Sequence, residues 1–76
     1  MGDIVVLSVG DIVHNVKNGD VGLLLDQGIE TGASGQGMFQ IVVWRIYWIL
    51  EGDTTYTEEG IMNMVDTGYL VQYKNI

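Results

Sequence analysis

Few residues in this 76-residue sequence could carry out nucleophilic, acid–base or metal chemistry. There is no cysteine, which excludes disulfides, thiolate zinc sites, iron–sulfur sites and a thiol nucleophile. His14 is the only histidine, and neither a Ser-His-Asp arrangement nor a two-histidine metal spacing can be built from it. We interpret it as a strand residue on the polar face. We therefore expect no enzymatic activity, no catalytic residue and no metal or other cofactor.

Acidic residues are the remaining candidates for cation binding or carboxylate catalysis. They form two groups, namely Asp20, Asp26 and Glu30, and then Glu51, Asp53, Glu58 and Glu59. Calcium sites need several carboxylates that converge from one loop at a set spacing, and the EF-hand spacing is absent. Paired carboxylates for glycoside hydrolysis are conceivable, but a domain this small has little room for a deep cleft. A solvated acidic face is the favoured interpretation, and a divalent-ion site is the alternative.

Glycines are concentrated between residues 27 and 37, where four occur with Thr31 and Ser34. Glycine-rich loops bind phosphate when a helix or a lysine follows them, and neither follows here. We therefore predict a flexible Gly-rich loop over residues 27–37, with an adhesive arm in an assembly as the alternative role.

The charge of the chain limits its partners. Ten acidic residues stand against Lys17, Arg45 and Lys74, which gives a formal net charge of −7. Three cations cannot neutralise a row of phosphates, so we expect no direct nucleic-acid binding and no binding to an anionic membrane. Basic protein partners remain compatible. The N-terminus lacks a basic region and the apolar run from Met38 to Leu50 is too short for a spanning helix, so we predict no signal peptide and no transmembrane segment.

Eleven glycines separate short runs of Val, Ile and aromatic residues, and there is no proline. This pattern is typical of strands and turns. We predict one all-β domain over residues 1–76. Lys17-Asn18-Gly19-Asp20 predicts a tight hairpin turn, and Thr57 with Glu58 and Glu59 predicts the start of a single helical turn. The other predicted elements are an extra N-terminal strand within residues 1–9, strands at 11–16, 21–26, 39–50, 54–57 and 69–73, and a short 3₁₀ or irregular segment at 61–65.

The predicted strand at residues 39–50 is apolar on both faces. Because alternate residues of a strand face opposite sides, Arg45 and Tyr47 would share one face, and Trp44 and Trp48 the other. A small barrel has one interior, so we predict that one face contacts another protein. The candidate interface residues are Phe39, Trp44, Ile46, Tyr47, Trp48 and Leu50. The alternatives are a bulge that turns both faces inward, or a cover supplied by the N-terminal segment.

The order of motifs resembles a known group. The segments concerned are Val9–Val13, Gly19, Gly22–Leu24 and Val43-Trp44, followed by a Thr-Thr-Tyr strand and a helical turn before the last strand. This order resembles the small SH3-like, or KOW-like, β-barrel proteins of bacteriophages and cyanophages, which are mostly uncharacterised. The resemblance implies a small SH3-like barrel of five to six antiparallel strands with one short 3₁₀ or helical turn, and it implies a phage origin. It transfers no site residue.

These observations predict a non-enzymatic protein–protein interaction module. The leading hypothesis is a phage accessory protein, such as a virion decoration or cement subunit, that self-associates or docks on an assembly. The alternative is an acidic phage-encoded regulator or inhibitor of a host protein, and a KOW-type nucleic-acid-associated module comes third. The expected location is the virion or the host cytoplasm.

Overall fold

The computed structural model describes residues 5–75 and shows one open antiparallel sheet with a helix packed on one side. The elements are β1 (Ile12–Asn15), β2 (Val21–Ser34), β3 (Gly37–Trp48), β4 (Gly52–Thr57), α1 (Glu58–Asp66) and β5 (Leu70–Tyr73). The strand order is β4-β3-β2-β1-β5. The all-β class is confirmed. The prediction of a closed barrel is wrong, because β4 and β5 are the two edges of the sheet and do not pair within the described residues.

A turn joins β1 and β2 around Asn18-Gly19, as predicted, but it is longer than the predicted tight turn, since residues 16–20 connect the two strands. Gly19 has a φ of 77°, which a residue with a side chain rarely adopts. The side-chain oxygen of Asn15 accepts a hydrogen bond from Lys17 N at 2.9 Å, and that of Asn18 accepts one from Asp20 N at 2.8 Å. Short polar side chains therefore fix this turn from within.

A β-bulge at Leu25 interrupts the pairing of β2 with β3, where the register shifts between Leu24 and Asp26. The run Leu23-Leu24-Leu25 predicts either burial on both faces or a twist through a bulge, and the bulge is confirmed. Because the bulge inserts one residue, Leu24 faces the core while Asp26 pairs with Arg45 on the opposite side of the sheet.

The predicted flexible loop at residues 27–37 is wrong over most of its length. β2 continues to Ser34, and only Gly35 and Gln36 connect it to β3. Glycine is compatible with strand geometry when a cross-strand side chain covers it, and the ring of Phe39 lies directly over Gly32. The pairing of β3 with β4 ends at Val43. Residues 29–42, which are the end of β2, the connection and the start of β3, therefore have no third strand beside them and form a two-stranded projection that we call the arm.

Residues 58–66 form one α-helix, whereas a single helical turn followed by a short 3₁₀ or irregular segment was predicted. The predicted start is confirmed, since Thr57 is the N-cap and its side-chain oxygen accepts a hydrogen bond from Gly60 N at 3.1 Å. Ile61, Met64 and Val65 follow the helical spacing and pack on the sheet. The helix was missed because nine residues with an internal glycine give little periodic signal.

The core lies between α1 and one side of the sheet. Its buried residues are Val13, Leu24, Trp44, Ile46, Trp48, Ile61 and Leu70, and Leu7, Tyr56, Met64 and Val65 pack against it. Of the predicted N-terminal strand, residues 1–4 lie outside the described part, and residues 5–9 are not strand. No helix among the residues described is long and apolar enough to cross a membrane.

Gly22 predicts a sensitive packing position. A Cβ atom there would lie 2.8 Å from Ile46 Cγ2 and from Trp48 Cε3, well inside van der Waals contact. Gly22→Ala is therefore expected to lower the free energy of unfolding by about 2 kcal/mol, because the buried indole has to move. Urea denaturation measures this change. Gly35→Ala, where a Cβ meets nothing within 4 Å, is the matched control and is expected to change stability little.

Candidate interaction surface

The two sides of β3 have different environments. Trp44, Ile46 and Trp48 point into the core and are at most 3% exposed. Their polar atoms are satisfied internally, since Trp44 Nε1 donates to Glu58 Oε1 at 3.1 Å and Trp48 Nε1 donates to Thr54 Oγ1 at 2.9 Å. The intervening residues point to the other side of the sheet, which α1 does not cover.

That second side carries two rows of side chains across four strands. In the first row, neighbouring strands place Tyr73, Ile12, Leu23 and Tyr47 side by side, in that order. In the second row, they place Val71, His14 and Val21 side by side. Ile49 N donates to Val21 O at 2.9 Å and extends the second row. We call these eight residues the outer face. They are Ile12, His14, Val21, Leu23, Tyr47, Ile49, Val71 and Tyr73.

The outer face is contiguous, apolar and open. Ile49 is 67% exposed, Tyr73 is 55% exposed, and four more of the eight are exposed to a lesser degree. Between the strands lies a shallow depression of about 250 Å³, lined by Ile12, Val21, Gly22, Leu23, Tyr47 and Ile49. From the exposed fractions, the outer face presents roughly 600 Å² of surface, at the upper end of what monomeric proteins leave uncovered.

The six predicted interface residues divide between four places. Trp44, Ile46 and Trp48 belong to the core, so their side chains cannot contact a partner while the domain is folded. Tyr47 lies on the outer face. Leu50 is exposed in the turn after β3, and Phe39 is exposed in the arm.

Sequence reasoning missed the rest of the outer face because it considered one strand at a time. Ile12, Leu23, Val71 and Tyr73 occur in three other strands, and only the register brings them beside Tyr47. The available signal was that β1, β2 and β5 each have an apolar residue on both of their faces. His14 is in a strand as predicted, but its neighbours make this face apolar rather than polar.

No protein-family model, curated protein or solved structure matches this chain.

Charged groups lie around the outer face but not within it. Arg45 and Asp26 form an exposed ion pair of 3.6 Å beside Tyr47, and Asp53 pairs with Tyr47 at the edge strand β4. The helix acids Glu58 and Glu59 are on the opposite side of the sheet, where α1 packs. The outer face itself contains no Asp, Glu, Lys or Arg.

Two carboxylates have structural roles. One of them, Asp20, was predicted to belong to a solvated acidic face, and for Asp20 that prediction is wrong because its side chain is buried. Asp20 is 2% exposed, and its Oδ1 accepts hydrogen bonds from Val21 N at 2.8 Å and Leu50 N at 2.9 Å. Its Oδ2 accepts one from Glu51 N at 3.2 Å. Asp20 therefore joins the β1–β2 turn to the β3–β4 turn.

Asp11 is the second of these carboxylates, and its side chain is fully buried. Burial by itself raises the pKa of this carboxyl group, but hydrogen bonds from Asn75 N, Lys74 Nζ, Gln72 Nε2 and Ser8 N outweigh burial and lower the pKa from 3.8 to about 2. Lys74 Nζ lies 2.9 Å from Asp11 Oδ2. Asp11 thus connects the segment before β1 to the segment after β5.

Within the part of the chain that the structure describes, no three acidic or histidine side chains are placed to hold a metal ion. The same residues contain no buried side-chain nitrogen or oxygen without a hydrogen-bond partner. The polar groups inside the fold are therefore committed to holding turns and chain ends together.

Proposed function

We propose that this chain is a non-enzymatic protein–protein interaction module that binds through the outer face of its sheet. The observation that carries this proposal is the eight-residue apolar surface on the side of the sheet opposite α1. Water contact with such a surface is unfavourable by about 25 cal/mol for each Å², so a partner that covers it gains free energy.

The composition of the outer face supports the same proposal. Charged residues are depleted at the centre of protein interfaces and tyrosine is enriched there. The outer face contains no Asp, Glu, Lys or Arg, and it carries Tyr47 and Tyr73 near its two ends. Its backbone belongs to a hydrogen-bonded sheet, so little conformational entropy is lost when a partner binds.

The resemblance to small SH3-like phage proteins extends the proposal to a biological role. The position of α1 between β4 and β5 matches the helical turn that the resemblance places before the last strand. We propose an SH3-like relationship and, on that basis, a virion accessory role as a decoration or cement subunit. Self-association through the outer face would suit such a subunit.

Charge favours a second candidate, an acidic regulator that binds a basic protein. All three cationic side chains are engaged within the chain: Lys74 with Asp11, Arg45 with Asp26, and Lys17 Nζ 4.9 Å from the centroid of the Tyr69 ring. The exposed acids are therefore largely uncompensated. Raised salt would weaken binding to a basic partner.

Matched glutamate variants test the proposed use of the outer face. Ile49→Glu places a charge on the outer face, and Met38→Glu places the same charge on the arm, where Met38 is 78% exposed. We expect the tagged wild-type chain to capture partner proteins from an extract of the native host, and untagged copies of the same chain count as partners. Tagged Met38→Glu is expected to capture the same proteins, and tagged Ile49→Glu is expected to lose them. An identical captured set for all three chains would contradict the proposal.

A further inference from the structure

We propose that the partner of the outer face is a second copy of this chain, packed sheet against sheet in a two-fold symmetric pair. This inference rests on the proposed function and specifies its partner. We call the arrangement the pair.

The area of the outer face fits a pair. Two faces of roughly 600 Å² would together bury on the order of 1,200 Å², the lower end of the range for specific, stable protein interfaces. Antiparallel sheets commonly stack face to face about 10 Å apart, with their inner side chains interdigitated. In the pair, the outer face would become the second side of such a sandwich, and every strand except β4 would contribute to it.

The outer face has the two features that a self-complementary contact needs. It contains a depression, lined by Leu23, Tyr47 and Ile49 among others, and outside that depression it contains Tyr73, which is 55% exposed. In a two-fold pair, a residue of one copy that contacts a position on the other is contacted in return by the equivalent residue. A projection on each copy can therefore fill the depression on the other.

The distribution of charge favours a second copy over a basic partner. A chain with net charge −7 repels its own copies unless the carboxylates stay apart. Glu58 and Glu59 lie on the far side of the sheet, Asp11 and Asp20 are buried and hydrogen-bonded, and the Arg45–Asp26 pair beside the outer face is neutral overall. Asp53, opposite Tyr47 on the edge strand β4, is the exposed carboxylate at the border of the outer face. Stacking two outer faces therefore brings few like charges together, whereas a basic partner would find few carboxylates to contact there.

Salt dependence follows from the same distribution. The two copies attract through apolar surface while their net charges repel, and salt screens the repulsion. We expect the dissociation constant of the pair to fall when salt is raised, opposite to the behaviour of a complex with a basic protein.

Absolute mass by light scattering tests the pair. We expect the wild-type chain to approach twice the 8.4 kDa of one chain as its concentration rises. Ile49→Glu places two carboxylates in the interface and is expected to raise the dissociation constant about a hundredfold or more. Met38→Glu has the same charge on the arm and is expected to leave the mass unchanged, and circular dichroism shows whether each variant is folded.

Cross-linking gives a second readout that needs no disruptive change. The chain has no cysteine, so a single introduced cysteine defines the reacting site. Leu23→Cys at the centre of the outer face is expected to give a covalent dimer with a short bismaleimide. Asn63→Cys on the exposed side of α1 is expected to give none.

Each other outcome contradicts the pair in a distinguishable way. A monomer at every concentration overturns the pair, and the capture experiment then decides independently whether the outer face binds another protein. A dimer that Met38→Glu dissociates and Ile49→Glu does not would assign self-association to the arm and overturn the pair. Cross-linking at residue 63 without cross-linking at residue 23 would assign it to the helix side, with the same consequence.

Discussion

Asp20→Ala is expected to lower the free energy of unfolding by about 3 kcal/mol, one of the two largest effects of a single change in this chain. The substitution removes the acceptor of three backbone N–H groups, from Val21, Leu50 and Glu51. Hydrogen bonds to a charged acceptor stabilise a fold more than neutral ones, and donors left without a partner add a desolvation cost. Thermal and urea unfolding measure the loss.

Two comparisons separate this role of Asp20 from a general effect of charge. Asp20→Asn keeps one carbonyl oxygen that can accept from Val21 and Leu50, so we expect a smaller loss than for alanine. Asp53→Ala removes an exposed carboxylate from the strand that follows the β3–β4 turn, and it is expected to change stability by less than about 0.5 kcal/mol. Equal losses for Asp20→Ala and Asp53→Ala would contradict the role of Asp20 in joining the two turns.

Asp11→Asn is expected to cost about 3 kcal/mol at neutral pH. The amide cannot form the ion pair with Lys74, and its NH₂ group replaces one of the two acceptor oxygens, so it faces either Asn75 N at the Oδ1 position or Ser8 N at the Oδ2 position. Removing one partner of a buried ion pair is costly because the environment was arranged for the charge. Lys74 is half exposed and can return to water, which keeps the loss at the lower end of the range for buried pairs.

The low pKa of Asp11 also predicts how stability depends on pH. Its folded value of about 2 lies below the ordinary value of 3.8, so the charged form is favoured by folding. The resulting stabilisation of about 2 kcal/mol is fully present above pH 4 and is lost as the pH falls from about 4 to about 2. Urea denaturation of wild type and Asp11→Asn across this range should show the difference between them shrinking toward low pH. A difference independent of pH would contradict the assignment, and Glu30→Gln on the arm is the control.

Local turn and capping chemistry could be predicted from the sequence. Asn18-Gly19 indicated the position of a turn, though not its length, and Thr57 indicated the start of a helix, because each of these residues satisfies or shapes the backbone beside it. The bulge in the three-leucine run was also foreseeable, since a continuous run cannot alternate between two sides without an irregularity.

Glycine was the main source of error in the fold. Clusters of glycine usually mark loops, yet Gly28 and Gly32 lie within β2. What overrides the local preference is a contact across the hairpin, since the ring of Phe39 covers Gly32 and a methyl group of Val43 lies beside Gly28. Such contacts depend on a register that single-strand reasoning does not provide.

The candidate site could be predicted only as a choice between two faces of β3. Both faces are apolar, so the sequence could not say which one holds the core. Three tertiary features decide it: α1 packs on the side of Trp44 and Trp48, Gly22 makes room for the Trp48 indole, and the bulge at Leu25 sets which residues of β2 share each side. The interface hypothesis thus moves to the face of Tyr47, together with residues from β1, β2 and β5.

The acidic residues illustrate why charge alone does not locate a site. Asp11 and Asp20 look like turn carboxylates in the sequence, but both are buried acceptors for groups distant along the chain. The residues that form the open apolar surface, the outer face, include no Asp, Glu, Lys or Arg. In this chain, buried polar side chains hold the small fold together, and the apolar outer face is the surface through which we propose that it binds.

Methyl nuclear magnetic resonance with a dissolved paramagnetic agent tests most directly whether self-association covers the outer face. The agent broadens signals from methyl groups that it can approach. We predict that the methyl signals of Ile12, Leu23 and Val71 are broadened in dilute protein and protected in concentrated protein, while those of Ile29 on the arm are broadened in both. Protection of Ile29 with the outer-face methyl groups still broadened at high concentration would contradict the account.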